Sequence, residues 1–184
     1  QAFRSIPVDL AQEKLLIGVV GEIFCRHNNF SNNDMFRLIE KYGGVVWVSD
    51  IAEWVMYTND EEVWRLERYG KQLSFQMFGS KLKQAVMQSD EHKIVNVFKE
   101  EFRGFEEPHH VREILDLSHP YLPREGSRGE MVMSMGKALW YHKKGAAGVI
   151  DISPFTCMNG IITEAVYPRV SRDLEGFPIR VFYF

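Results

Sequence analysis

Cys157 is the residue of this chain best placed to do chemistry. It stands in the segment Gly148-Val-Ile-Asp-Ile-Ser-Pro-Phe-Thr-Cys-Met-Asn-Gly160. There Val149, Ile150 and Ile152 read as a buried strand that breaks at Pro154. The thiol follows just before a helix starting near Gly160. The N-terminus of a helix carries a partial positive charge, which favours thiolate over thiol. A cysteine placed there is a better metal ligand or nucleophile than one in a core. The residue types also accommodate the plainer reading of Cys157 as a buried structural cysteine.

A second junction of the same kind lies early in the chain. The apolar strand Leu15–Val20 runs into Gly21-Glu-Ile-Phe-Cys-Arg-His-Asn-Asn-Phe-Ser-Asn-Asn33. Glu22, Arg26, His27, Asn28 and Asn32 crowd this loop with groups that bind polar ligands, while some of its asparagines serve as turn and capping residues. Cys25 reads as an incidental thiol within it. Glu53 follows the next strand, in a connection over Asp50–Tyr57.

These groups must be carried by a regular scaffold. Leu15–Val20 is a continuous apolar run, as expected of a strand buried on both faces of a parallel sheet. Asn32 or Asn33 caps a helix through Met35, Phe36, Leu38, Ile39 and Tyr42, ended by Gly43-Gly44. Val45–Val48 is the second strand. Residues 60–117 read as a helical insertion, with breaks at Gly70, Gly79, Gly104 and Pro108. Ser127 and Glu130 have the spacing of a capping box opening the next helix. Val149–Ile152 is the third strand, and Ile179–Phe184 the fourth. The helix between them contains Pro168, which predicts a kink or a split.

Alternating strands and helices predict an α/β domain with an open parallel four-stranded sheet, order 2-1-3-4, of Rossmann-like or flavodoxin-like form. In that order strands one and three are neighbours whose connections leave to opposite faces. Ligands of open α/β sheets bind at such a switch point, beyond the carboxyl ends of the strands. This places Glu22, Arg26, His27, Asn28 and Cys157 around one crevice.

The 184 residues suit a single domain over 1–184, and the opening on Gln1 and the strand-like end at Phe184 predict a piece of a longer protein. Twenty-two basic and 25 acidic residues form no cationic face, so nucleic acid is not an expected partner. No apolar run reaches the roughly 20 residues that span a bilayer, so no membrane is expected. Two widely separated cysteines make no disulfide framework, which predicts a reducing, cytoplasmic setting. Gly18-Val-Val-Gly21 lacks the third glycine of a dinucleotide fingerprint, and no Walker A lysine motif is present. The chain alone is expected to hydrolyse no ATP. Two cysteines do not complete a metal site, so no cofactor is expected on the fragment by itself. His109, His110 and His119 read as solvated.

Three blocks together resemble one family: Gly21-Glu-Ile-Phe-x-Arg-His-Asn-x-Phe-Ser-Asn-Asn33, Ser49-x-x-x-Glu53-Trp54, and Ser153-Pro-Phe-Thr-Cys-Met-x-Gly160. They look like the dehydratase-like part of CoA-substrate-specific enzyme activases, a group related to 2-hydroxyacyl-CoA dehydratases and benzoyl-CoA reductases. The resemblance runs from about Lys14 to Phe184 and is weakest in the insertion. It implies paired Rossmann-like domains that hold an iron–sulfur cluster ([4Fe-4S]) through cysteines from different segments. It further implies an ATPase activator component that delivers a low-potential electron, and a CoA-thioester substrate, a chemistry of anaerobic metabolism. On this resemblance Cys157 is a cluster ligand, and Glu22, Arg26 and Asn28 line the neighbouring cleft. The other ligands come from the remaining domains of the parent chain. Asn159 and Asn29 depart from the pattern, which has proline at both places. The alternative is a non-catalytic interaction domain that docks an ATPase activator to its partner.

Overall fold

The unbroken apolar run after Lys14 becomes β1 (Leu15–Gly21), a central strand of an all-parallel sheet. The computed structural model describes residues 5–7 and 14–184; residues 1–4 and 8–13 of the expected domain, with the opening Gln1, lie outside the described residues. After β1 come α1 (Ile23–His27), α2 (Met35–Lys41) and β2 (Gly44–Val48). Next are α3 (Ile51–Arg68), α4 (Phe75–Val97), α5 (Val111–Ser118) and α6 (Glu130–Lys143). Then β3 (Gly148–Ser153), α7 (Met158–Asp173) and β4 (Ile179–Tyr183) follow.

The strand order is β2-β1-β3-β4, as the apolar runs predict. β1 pairs with β2 in the register Leu15↔Gly44 and with β3 in the register Ile17↔Gly148. Adjacent strand residues face opposite sides of a sheet, and Val19 and Val20 are both fully buried. Val20 enters the larger core, which contains Trp47, Tyr57, Ile114, Met135, Tyr141, Val149 and Tyr167. Val19 enters the smaller one, with Cys25, Met35, Ile39 and Ile152.

The two faces of the sheet are unequally covered. α6 is buried from Glu130 to Tyr141, because it packs on β1 and β3 beneath α5 and α7. Two glycines permit this. Gly18 of β1 leaves room for the Tyr141 ring, and a Cβ at Gly136 would overlap the Ile114 carbonyl oxygen of α5. On the opposite face α2 packs over the β2 side of the sheet. An open apolar depression of about 500 Å³ remains there, lined by Leu15, Leu38, Tyr42, Ile150 and Phe182 among others.

Local boundaries depart from expectation in ways with simple causes. The stretch between β2 and β3 is helical, but α3 already starts at Ile51. Asp50 caps it, its Oδ1 accepting from the Glu53 N–H at 2.7 Å, so Asp50–Tyr57 is helix rather than connection. Gly70 and Gly104 sit in turns at positive φ, whereas Gly79 lies inside α4 and breaks nothing. Ser127 and Glu130 do not form a capping box. Gly129 is the N-cap of α6, and the Glu130 carboxylate accepts from the Ile23 N–H instead. At α2 the expectation holds in part: Asn32 Oδ1 accepts from the Met35 N–H at 3.3 Å, while Asp34, in a left-handed conformation, stands at the N-cap position without a side-chain capping bond. α7 runs unbroken through Pro168, which sits on its exposed side, where water can satisfy the carbonyl that proline leaves unpaired. Among the described residues no helix is long and apolar enough to cross a membrane.

The close approach of α5 and α6 is directly testable. Gly136→Ala forces the helices apart and should cost about 1–3 kcal/mol, as overpacking does. Gly79→Ala, in a helix interior with open space around it, should instead stabilise by about 0.4–1 kcal/mol. Urea denaturation midpoints of the two variants should move in opposite directions.

Candidate functional site

At the carboxyl ends of β1 and β3, where a crevice is expected, the β1 loop lies directly on β3, and Gly21 permits that approach. Gly21 adopts φ 109°, and a Cβ there would overlap the Ile152 carbonyl oxygen. The chain therefore turns tightly against β3. Gly21 N–H donates to Ser134 Oγ at 3.2 Å and Glu22 N–H to the Ile152 carbonyl at 2.8 Å. Glu22 then caps α1, its carboxylate accepting from the Phe24 N–H at 3.1 Å and the Cys25 N–H at 2.7 Å. Glu130 Oε1 accepts from Ile23 N–H at 2.9 Å. Both carboxylates are thus engaged by the start of α1, and burial pushes the Glu130 carboxyl above the usual range.

Cys157 is the N-cap residue of α7 and is half-buried. Thr156, in a left-handed conformation at φ 69°, turns the chain into it. Its thiol makes no capping hydrogen bond, so the sulfur is not committed to the helix it precedes. Cys25 is buried on the α2 side of the sheet. Burial pushes its thiol up, and Glu22 and Cys157 add to the effect. Of the two thiols, Cys157 is the accessible one.

Asp151 is fully buried in β3. It accepts from Tyr167 Oη at 2.7 Å, from Thr163 Oγ1 at 3.0 Å and from Ser153 Oγ at 3.4 Å. Burial raises its pKa above the ordinary carboxylate value, against the pull of these three hydroxyls and of Arg26. The hydroxyls supply the hydrogen bonds without which a buried carboxylate is very costly.

Several sequence candidates are braces rather than open cleft walls. Arg26 is buried, with Nη1 donating to the Gly21 carbonyl at 2.7 Å and Nη2 to the Asp50 carbonyl at 3.3 Å. Its Nε donates to His27 Nε2 at 3.4 Å, so its donors are met from within the protein. Asn32 is wholly buried and donates to the Cys25 and Arg26 carbonyls at 3.1 and 3.2 Å; it closes the end of α1. Asn28 accepts from the Ser31 N–H at 3.0 Å, an Asx-type turn. His27 is exposed at the end of α1, its pKa lowered by partial burial and by Arg26.

Glu53 belongs to a second polar group at the end of β2. It accepts from Ser49 Oγ at 3.0 Å and from Lys137 Nζ at 2.6 Å. Lys137, on α6, is fully buried and also pairs with Glu107, which in turn accepts from Trp47 Nε1 at 2.8 Å. The ammonium lies 4.5 Å from the Trp140 ring centroid and 5.5 Å from that of Tyr141. Burial pulls the Lys137 pKa down, but the two carboxylates outweigh it and hold it above the ordinary value. Burial pushes Glu107 up despite Lys137. The Tyr141 hydroxyl is buried there without a hydrogen-bond partner among the described residues. A neighbouring cleft is lined by Asp50, Glu53, Glu91, Glu107 and His109.

Sequence reasoning passed over Asp151, Lys137, Glu130 and Glu107. The first two carried a signal, a single charge inside an apolar strand and an apolar helix, which is costly unless answered by a partner. Glu107 carried none, since it lies beyond a charged loop. His109, His110 and His119 are exposed, as expected. No protein-family model, curated protein or solved structure matches this chain.

Two outcomes follow from the buried charges. Lys137→Met leaves Glu53 and Glu107 buried without their cation and should destabilise by about 3–5 kcal/mol; adding Glu53→Gln and Glu107→Gln should recover most of the loss in urea denaturation. Tyr167→Phe removes a hydrogen bond to the Asp151 carboxylate. The folded pKa of Asp151 lies above its unfolded value, so its ionisation costs stability as pH rises through the folded pKa. The phenylalanine variant raises that pKa further. Its deficit should be small in acid and grow toward neutral pH, reaching about 1.5–3 kcal/mol.

Proposed function

We propose that this chain is an α/β domain of a dehydratase-like module in which Cys157 is one thiolate ligand of an iron–sulfur cluster. The module takes part in ATP-driven, low-potential electron transfer to a CoA-thioester-type substrate. The observation that supports this most is the uncommitted, half-exposed Cys157 thiol at the N-terminus of α7, at the mouth of the β1–β3 switch point. Iron–sulfur clusters are held by cysteine thiolates, ordinarily four. Cys157 fits one of those positions, and Cys25 is buried on the α2 side of the sheet. The other ligands come from the remaining domains of the parent protein. The bound cluster supplies one-electron chemistry. This chain's own residues position the ligand: Gly21, Glu22 and Ser134 lock the β1 loop against β3, and Thr156 turns the chain into Cys157. An ATPase activator component is the electron donor in this reading, and a reducing cytoplasm suits its free thiols.

The partly covered sheet face favours a second reading, an interaction domain that docks the activator. Its apolar residues Leu15, Leu38, Tyr42 and Phe182 are exposed, and such patches mark protein–protein contacts.

Purification of the intact protein without oxygen, with iron and sulfide analysis, separates the two. The cluster reading expects Cys157→Ser to lose most of the iron and Cys25→Ser to retain it. Iron content unchanged in Cys157→Ser, with activator binding abolished by Phe182→Glu, would instead establish the docking role.

A further inference from the structure

Away from the end of β3, three arginines gather on one tryptophan, with a fourth beside them. Trp64, Arg65 and Arg68 belong to the last two turns of α3, and Arg124 and Arg128 to the loop before α6. The guanidinium carbons of Arg68, Arg124 and Arg128 lie 4.9, 5.1 and 5.7 Å from the Trp64 ring centroid. Two depressions of about 370 and 400 Å³ flank this centre and share Trp64, Arg65 and Arg128 in their walls. Each is in the size range of small-molecule sites.

The charge balance at this place is unusual. Arg124 is held by Asp60 and Glu61, both at 2.7 Å, and its Nη2 is buried without a hydrogen-bond partner. Arg65, Arg68 and Arg128 have no carboxylate within ion-pair distance among the described residues. Three carboxylates share the walls of these depressions, Glu61 paired with Arg124, Glu62 accepting from Gln76 at 3.1 Å, and Glu125, none of them within ion-pair distance of Arg65, Arg68 or Arg128. The dipole of α3 favours cations at its carboxyl end, which accounts for Arg65 and Arg68. It does not account for Arg124 and Arg128, which a different segment brings to the same ring. Like charges converge at this cost where an anion answers them. Stacking on Trp64 holds the guanidinium planes while leaving their N–H edges free for bidentate bonds to phosphate oxygens.

We infer that the surface around Trp64 is a binding site for a diphosphate group, held by Arg65, Arg68 and Arg128. The chain's net charge of −3 and the small extent of the depressions suit a small organic or inorganic diphosphate rather than a nucleic acid. The site does not depend on the cluster reading of Cys157.

Isothermal titration of the whole chain with inorganic pyrophosphate and, separately, with ADP at low ionic strength tests it. Saturable one-to-one binding is expected, weakening steeply with salt. Arg128→Gln and Arg68→Gln should each weaken it about tenfold or more, while Arg169→Gln, on the far helix α7, should leave it unchanged. ADP binding tighter than pyrophosphate assigns the site to nucleotide diphosphates; equal affinity assigns it to the diphosphate alone. No saturable binding of either probe at millimolar concentration overturns the inference. So does binding that persists undiminished in Arg68→Gln/Arg128→Gln, with circular dichroism showing both variants folded.

Discussion

The guanidinium of Arg26 ties the ends of two strands to each other from inside the protein. One nitrogen holds the carbonyl that closes β1 at Gly21, and another holds the carbonyl of Asp50, where α3 begins. Both loops at the carboxyl edge of the sheet are thereby fixed by one side chain. The cap of α1 by Glu22 and the cap of α3 by Asp50 lie immediately on either side of it. Burying an arginine is costly unless its donors are met, and here the backbone meets them. Glu22 N–H holds the same loop to the Ile152 carbonyl, so the end of β1 is tied to both of its neighbouring strands.

A second constraint is the polar content of an otherwise apolar core. Asp151 is met by three hydroxyls, and Lys137 by two carboxylates and two aromatic rings. Such groups rarely add stability over well-packed apolar residues, but removing one partner is severe. They pin the elements at defined positions: α7 to β3 through Tyr167 and Thr163, and α6 to α3 through Lys137 and Glu53. The rigidity that results is what a single uncommitted thiol needs in order to be presented in one orientation.

The scaffold was legible from the chain because its signals are of low order. Leu15–Val20 is apolar without interruption, so a doubly covered parallel strand is its natural state. The order 2-1-3-4 followed from topology once four strands and their connections were in place. Individual side chains were harder to place. Arg26 and Asn32 looked like ligand-binding residues because their types are those of ligand-binding residues, and the same donors serve backbone carbonyls when the loop folds over them. Ser127 and Glu130 had capping-box spacing, but tertiary contact drew the Glu130 carboxylate to Ile23. Glu107 could not be found at all, because its partner Lys137 lies 30 residues on. Local spacing carries no record of a pairing that only the packed α6 creates.

The register Ile17↔Gly148 joins strands about 130 residues apart in the chain. The sheet's central pairing must therefore wait for everything between to be gathered in. Closing so large a loop carries an entropic cost that grows with its length, and contacts of this separation slow folding. β1 and β2, separated by about 30 residues, and the helices α3 to α6 can assemble beforehand on local contacts alone. The β1–β3 seam is the long-range pairing of the sheet, and the thiol that follows β3 owes its surroundings to contacts that neighbouring sequence alone does not supply.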